Sequence, residues 1–176
     1  MPFDASLLIL QHPMETANAK GSARLLHLCV PGSVMLSGER FDPLLLSAQL
    51  HAGARTPLLL YPGDNAEVAF APEPVPASRL RLVVLDGTWR KSRKMLHLNP
   101  VLAGLPRLSL RDMPASHYRI RKAHAPHQLS SFEAAAYALS VLQNDRAGPA
   151  KLAHLLAAFD GFVDQQAGYA AVRGTG

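Results

Sequence analysis

Apolar residues fall into short runs along the chain, separated by turn signals. The runs at residues 6–10 and 58–61 are almost wholly apolar, and residues 79–86 alternate before they become apolar. Such runs are typical of buried strands, and the last fits a central strand of a parallel sheet. Two shorter strands are predicted at residues 34–36 and 107–110.

Helix signals lie between these strands. An N-cap residue followed by helix formers, or a stop signal such as Asn-Pro, predicts where a helix begins or ends. The predicted helices cover residues 15–28 with an interruption at Gly21, residues 43–51 after the N-cap Asp42, and residues 89–98 between Thr88 and Asn99-Pro100. Strands that alternate with helices predict an α/β fold, a single domain with a mostly parallel sheet flanked by helices.

Two C-terminal helices have the clearest signals. Ser130 and Glu133 have the spacing of a capping box, and Pro149 suits the first turn of the last helix. We expect the chain after Tyr169 to be frayed. Each helix has one apolar face: Phe132, Ala135, Ala136, Leu139 and Leu142 in the first, and Leu152, Leu155, Leu156, Phe159 and Val163 in the second.

The composition fits one soluble domain over residues 1–176, with a core at about residues 6–166. Apolar residues make up 48% and charged residues 18% of the 176, which excludes a disordered or collagen-like chain. The lone cysteine, Cys29, excludes an internal disulfide and a multi-cysteine zinc site. No apolar run reaches the roughly 18 residues of a membrane span, and the N-terminus lacks signal-peptide features. We expect a cytoplasmic protein without membrane contact, and nothing indicates an obligate protein partner.

Basic residues are concentrated in one part of the chain. Residues 79–122 hold eleven of the 18 lysines and arginines and two acids, a net charge of +9, while the whole chain carries +5. One strongly basic band predicts a polyanionic partner contacted on one side. The alternative is a solvated helix face, and charge alone does not distinguish RNA, DNA and a phosphorylated small molecule.

Several common catalytic motifs are absent. The chain has no GxGxxG, GxxxxGK[ST], HExxH or G-x-S-x-G sequence. His117, His124 and His127 lie close together without a nearby carboxylate. They make a poor metal site and fit RNA contact or surface exposure better, so we expect no metal.

Unusual residues follow the predicted central strand, in the segment LDGTWRKSRK at residues 85–94. Asp86 would lie where the strand ends, the edge at which open α/β sheets bind ligands, although a capping carboxylate is an equally good interpretation. Gly87 allows close backbone approach. The ring of Trp89 could stack on a base or fill the core, and local physics slightly favours the core.

The string Asp86-Gly87-Thr88-Trp89 resembles the D-x-T-W signature of the DTW-domain family. Four further segments resemble that family in the expected order and extend the resemblance from residue 8 to about residue 142. They are LILQHPMETANAKGSARLL (8–26), GERF (38–41), LLLYPG (58–63), and YRIRK (118–122) followed by LSSFEA (129–134).

The resemblance implies an aminocarboxypropyltransferase. Such enzymes use S-adenosylmethionine (SAM) to place the 3-amino-3-carboxypropyl group on N3 of a tRNA uridine, and they release 5′-methylthioadenosine. The resemblance also implies a relation to the SPOUT class of RNA-modifying enzymes, in which SAM lies in loops after the strands and the chain can pass through a knotted crossover. Many bacterial relatives carry an N-terminal cysteine cluster, which is not expected here.

Site residues follow from this resemblance. Asp86 and Trp89 are the catalytic candidates, with Asp86 either the base that removes the N3 proton or the group that orients the α-amino group of SAM. The candidate SAM-binding residues are Leu60, Tyr61, Pro62, Gly63, Leu85, Gly87, Thr88, Leu129, Ser130 and Ser131. The candidate RNA-binding residues are Arg90, Lys91, Arg93, Lys94, Arg119, Arg121 and Lys122.

Three other functions compete with this interpretation. A SPOUT-type RNA methyltransferase would release S-adenosylhomocysteine. A non-catalytic RNA-binding module would have no need of SAM. A protein whose basic band meets an acidic protein surface would bind no tRNA. Glu133 is interpreted as a capping-box partner rather than a catalytic residue, and Arg119 and Arg121 fit either phosphate contact or a charged edge strand.

Overall fold

The strands form where the apolar runs predict them. A computed structural model of the protein describes residues 2–17, 21–61, 75–110, 129–143 and 147–173. The strands are β1 (Ser6–Gln11), β2 (Val34–Ser37), β3 (Thr56–Leu60), β4 (Leu80–Asp86) and β5 (Arg107–Leu108). The last is shorter than predicted, with two residues in place of four.

All five strands are parallel, in the order β2-β1-β4-β3-β5. The two central strands pair along their length, so that Ile9 lies opposite Val84 and Gln11 opposite Asp86. Every residue of β4 is buried, as expected for a strand with covered faces on both sides. The prediction of an α/β domain with a mostly parallel sheet is therefore confirmed.

Six helices surround the sheet in the described part of the chain. They are α1 (Ser22–Cys29), α2 (Pro43–Leu50), α3 (Trp89–Leu98), α4 (Pro100–Ala103), α5 (Ser131–Gln143) and α6 (Gly148–Arg173). The predicted N-caps hold: Asp42 accepts from the amides of Leu44 and Leu45, and Thr88 accepts from that of Lys91.

Two predicted boundaries are wrong, and one predicted helix stop also begins a second helix. The segment from Glu15 is not the start of a helix, because Pro13–Glu15 form a single 3-10 turn and α1 begins only after its N-cap Gly21. Pro100 ends α3 as predicted but also begins the short α4, since proline suits a first helical turn. The last helix continues past Tyr169 to Arg173.

The helices form one layer on each face of the sheet. Leu7 and Ile9 of β1 pack with α1, α5 and α6, while Leu8 and Leu10 pack with α2, α3 and α4. This alternation is the period of two expected of a strand buried on both sides. The first layer is closed by Phe132 and Phe159, which stack with ring centroids 4.8 Å apart.

The chain leaves the two central strands in opposite directions. After β1 it continues through α1 to β2 on one side, and after β4 it continues through α3 on the other face to β5. Such a switch point opens a crevice between the carboxyl ends of the two strands, where open α/β sheets bind ligands. Gln11 and Asp86 end these strands.

Helix α5 has its N-terminus at the same edge. Its last residue, Gln143, exchanges two hydrogen bonds with Asp4 just before β1, at 3.1 and 2.8 Å. The C-terminus of α5 therefore lies at the amino ends of the strands. A 13-residue helix spans roughly 20 Å, about the length of a six-residue strand, which brings Ser130 and Ser131 to the carboxyl ends.

Candidate functional site

Asp86 lies at the centre of this edge. Its side chain is buried, with 6% of the residue exposed. The amide Nε2 of Gln11 donates a hydrogen bond to Asp86 Oδ2 at 3.0 Å, and the backbone N–H of His12 donates to the Asp86 carbonyl at 2.9 Å. Two adjacent residues at the end of β1 thus fix both the backbone and the carboxylate of Asp86.

At Gly87, the residue after Asp86, there is little space for a side chain. A Cβ at Gly87 would lie 3.1 Å from Lys91 Cβ and 3.5 Å from His12 Cβ. Distances near 3.1 Å are tighter than ordinary van der Waals contact, so the missing side chain lets α3 start directly against the loop after β1. The expected close backbone approach at Gly87 is therefore an approach to Lys91 and His12.

His12 joins the loops after β1 and β2. Its Nδ1 accepts from the backbone N–H of Met14 at 3.2 Å, and its Nε2 lies 3.0 Å from Glu39 Oε1. An Nδ1 that accepts implies the tautomer with the proton on Nε2, which then donates to Glu39. The hydrogen bonds from His12 and then Lys94 lower the pKa of Glu39, whose carboxylate stays ionised.

Lysines of α3 reach back to both loops. Lys91 Nζ lies 2.6 Å from Glu15 Oε1, and Lys94 Nζ lies 2.9 Å from Glu39 Oε1. At the end of α3, Asn99 Nδ2 donates to the Glu39 carbonyl at 2.9 Å. The helix is thus attached along its length to the two loops beside the crevice.

Trp89 is exposed at this edge rather than packed in the core, so the interpretation as a core residue is wrong. The residue is 46% exposed and its ring meets Tyr61 edge-to-face, with centroids 5.7 Å apart. The guanidinium of Arg107 lies 5.2 Å from the Tyr61 centroid. The contact with Tyr61 limits the orientations of the indole, which therefore presents an apolar surface on which a planar ligand could stack.

The N-terminus of α5 is closed by the predicted capping box. Glu133 Oε2 accepts from the Ser130 amide at 2.9 Å and from Ser130 Oγ at 2.8 Å, and the Glu133 amide donates back to Ser130 Oγ at 3.2 Å. Glu133 is 1% exposed. The interpretation of Glu133 as a capping residue is confirmed.

The remaining candidates divide into three groups. The side chain of Leu85 belongs to the core with α2, α3 and α4, so only its backbone is available to a ligand, while Leu60 packs on the other core. Leu129, Ser130 and Ser131 lie at the start of α5. Pro62, Gly63, Arg119, Arg121, Lys122 and the three histidines at 117, 124 and 127 lie outside the described residues.

Sequence reasoning missed four residues of this edge: Gln11, His12, Glu15 and Glu39. Each contacts a residue of the DGTW segment or of α3. All four fall in the segments 8–26 and 38–41 that carry the family resemblance, which is the signal that could have found them. Spacing alone could not, because Glu15 and Lys91 are 76 residues apart.

Two further features, a metal-binding cluster and a membrane-spanning helix, are absent from the described residues. No group of three or more His, Cys, Asp or Glu side chains is arranged to hold a metal ion in the described ranges. Of the helices described, none is long and apolar enough to cross a lipid bilayer.

Comparison with known proteins decides the family. The chain matches the DTW domain over residues 2–167. It belongs to the DTW-domain family. Three curated relatives that it matches are named tRNA-uridine aminocarboxypropyltransferase 2. The chain is 31% identical to that of Macaca fascicularis over 148 residues, 30% to that of Mus musculus over 148, and 33% to that of Drosophila melanogaster over 144.

These alignments cover 79%, 79% and 80% of this DTW-domain chain and 48%, 48% and 57% of the relatives. The chain therefore spans about half the length of the curated relatives it matches. No solved structure matches it.

Proposed function

We propose that this DTW-domain protein transfers the 3-amino-3-carboxypropyl group of SAM to N3 of a uridine in tRNA and releases 5′-methylthioadenosine. The observation that carries the proposal is the pairing of Gln11 with Asp86 at the switch point, beside an exposed indole, in a chain related to proteins named for this transfer. A buried carboxylate at a ligand-binding edge, with a flat apolar surface next to it, suits a cationic donor and a nucleobase.

The site residues fit a SAM molecule by their chemistry. The donor supplies an electrophilic γ-carbon next to a sulfonium that departs as a neutral thioether. The methionine end carries an ammonium and a carboxylate, and the edge offers Asp86 for the first and the N-terminus of α5 for the second. The capping box uses the Glu133 amide, and the positive end of the helix dipole attracts an anion there.

The transfer itself forms one bond and breaks one. N3 of uridine loses its proton to a base and attacks the γ-carbon, and the carbon–sulfur bond breaks with its electron pair going to sulfur. The protein's contribution is position, because methyl and aminocarboxypropyl transfer differ only in which carbon lies in line with N3. Asp86, held by Gln11, either takes the N3 proton or fixes the ammonium so that the γ-carbon faces the base.

We propose that Trp89 holds the acceptor base. A uridine inside a stem must leave its stack before N3 is accessible, and aromatic side chains bind such bases face to face. The exposed indole at the start of α3 meets this need, while its edge contact with Tyr61 limits its rotation. The Trp89→Ala protein is expected to fold and to lose transfer.

The test is Asp86→Asn, which keeps the size of the side chain and an oxygen for Gln11. We expect the variant to fold and to lose at least about 100-fold in transfer, measured by mass analysis of tRNA nucleosides and by methylthioadenosine release. A base role predicts a fall in kcat that recovers partly at higher pH. An orienting role predicts a rise in the KM for SAM. The control is Asp42→Asn at the exposed N-cap of α2, because asparagine can also cap a helix.

Two outcomes would contradict the proposal. S-adenosylhomocysteine as the product would indicate a methyltransferase, and full transfer by the Asp86→Asn protein would remove Asp86 from the reaction. Calorimetry with SAM alone adds a direct check, because a non-catalytic RNA-binding module would bind none.

A further inference from the structure

The basic helix α3 carries two kinds of cation. Lys91 and Lys94 are both ion-paired, at 2.6 Å to Glu15 and 2.9 Å to Glu39. Arg90 and Arg93 are exposed, and no carboxylate of the described chain pairs with either of them. Four neighbouring cations on one helix therefore differ in what they contact.

The two kinds lie on different flanks of the helix. At 3.6 residues per turn, Arg90 and Arg93 fall within about 60° of each other, and exposed His97 lies between their directions. Lys91 and Lys94 are likewise about 60° apart, on the neighbouring flank of the exposed side, where Lys94 lies about 40° from Arg90. Ser92, Met95 and Leu96 are buried and face the sheet. The arginines thus lie toward one side of the exposed face and the lysines toward the other, where Lys91 and Lys94 reach Glu15 and Glu39 in the loops after β1 and β2.

We propose that α3 is divided between two tasks: Arg90 and Arg93 form the surface that contacts RNA phosphates, whereas Lys91 and Lys94 are positioning residues that hold the loops beside the SAM site. The inference rests on the proposed function for its partner. It departs from the sequence prediction, which assigned all four cations to RNA. Each guanidinium has no carboxylate partner among the described residues and fits a phosphate in a bidentate way.

The lysine task follows from what the ion pairs join. Glu15 lies in the turn after β1, three residues beyond His12, and Glu39 accepts from both His12 and Lys94. His12 in turn lies beside Gly87 and Asp86. Loss of Lys91 and Lys94 would loosen both loops next to the carboxylate without removing a group that touches substrate.

The experiment compares two double variants, Arg90→Gln/Arg93→Gln and Lys91→Gln/Lys94→Gln. Each removes two positive charges from the same helix, so each is the control for the other. Binding of total tRNA is measured against salt concentration, and SAM binding is measured by calorimetry without tRNA. Each phosphate contact contributes about 0.7 to 0.9 to the slope of log affinity against log salt.

We expect the arginine variant to lower that slope by about 1.5 and to bind SAM like the unchanged protein. We expect the lysine variant to keep the slope within about 0.5 and to bind SAM at least about fivefold more weakly. A third variant, Lys91→Arg/Lys94→Gln, keeps a positive charge opposite Glu15. It should recover most of the SAM affinity that the double glutamine variant loses.

An equal loss of slope in the two variants would overturn the division, because it would mean one undivided basic patch. An unchanged slope in the arginine variant would overturn it as well. Failure of the proposed function would give a different result. The tRNA would bind with the expected salt slopes, but neither the unchanged protein nor the variants would form methylthioadenosine.

Discussion

At the amino ends of the strands the buried Arg81 donates to Ser6 Oγ at 3.0 Å and to the backbone carbonyl of Gln49, whereas at the carboxyl ends the buried Asp86 accepts from the side chain of Gln11. At the first edge, the Arg81 guanidinium thus joins the Ser6 hydroxyl to the end of α2. The second edge joins the side chains that end two strands, from residues 75 positions apart in the chain.

The two edges also differ in what they expose. Arg55 reinforces the amino edge with bonds to the carbonyls of Asp4 and Leu80 at 3.1 and 3.3 Å. The carboxyl edge instead leaves Trp89 exposed near the hydrogen-bonded pair of Gln11 and Asp86. Buried polar groups thus fix the layers at one end of the sheet, and at the other they fix the shape of an open surface. Stability and activity should therefore respond to different substitutions.

The largest expected effect on stability is at the amino edge. Burial and the neighbouring Arg55 lower the pKa of Arg81, and no carboxylate of the described chain pairs with it. Arg81→Met removes its bonds to Ser6 and to the end of α2, so we expect a loss of about 2 kcal/mol in the free energy of unfolding, measured in urea.

The same variant tests whether the edges are separate. Transfer per folded molecule should stay within about twofold of the unchanged protein, because Arg81 lies at the opposite ends of the strands from Asp86. Arg81→Lys, which keeps a donor, should lose less stability. Abolished transfer in fully folded Arg81→Met would show that the two edges are coupled.

A smaller effect is expected at Gly87, on the carboxyl edge. A Cβ there meets Lys91 Cβ at 3.1 Å, so Gly87→Ala should shift the start of α3 by a few tenths of an ångström and cost about 1 kcal/mol of stability. Because small misplacements are costly in a positioned reaction, we expect roughly tenfold slower transfer. Stability and kcat/KM are the measurements.

Gly104→Ala is the matched control for this prediction. Gly104 ends α4 with an ordinary φ of −83°, and a Cβ there would approach the Pro100 and Val101 carbonyl oxygens at 3.7 and 4.0 Å, which is ordinary contact. The control should change neither quantity appreciably. Equal loss of transfer in both variants would mean that activity reports general stability rather than the geometry at Gly87.

Much of the fold was predictable because the apolar pattern is local. The buried run before Asp86 predicts a central strand, and the Ser130–Glu133 spacing predicts the start of α5; both are confirmed. The segment at Glu15 shows where local signals fail. Its side chain pairs with Lys91, which lies 76 residues away, and Pro13 closes a short turn in place of a helix.

The site was predictable only in part, for a similar reason. Position after a buried strand indicates Asp86 from sequence. Gln11 and His12 lie at the end of β1 and Glu39 follows β2, and only the strand order brings these residues to the edge where Asp86 lies. The exposure of Trp89 also depends on the surrounding loops, so the local preference for the core was wrong.

The smallest expected effect concerns the partly exposed carboxylate of Glu39. Hydrogen bonds from His12 and Lys94 lower its pKa from the ordinary value of 4.5. A carboxyl with a lower pKa in the folded state adds stability above its unfolded pKa, and this stability is lost as the pH falls through the folded value. The loss should therefore begin near pH 4.5 and continue below it.

Glu39→Gln should flatten that part of the stability profile, measured by urea unfolding between about pH 6 and about pH 3. The effect is small because the Glu39 carboxylate is partly exposed to water, and added salt should reduce it further. An unchanged profile in Glu39→Gln would mean that other carboxyls account for the loss in acid. The loops of the carboxyl edge would then depend on Asn99 and the His12–Met14 bond rather than on the charge of Glu39.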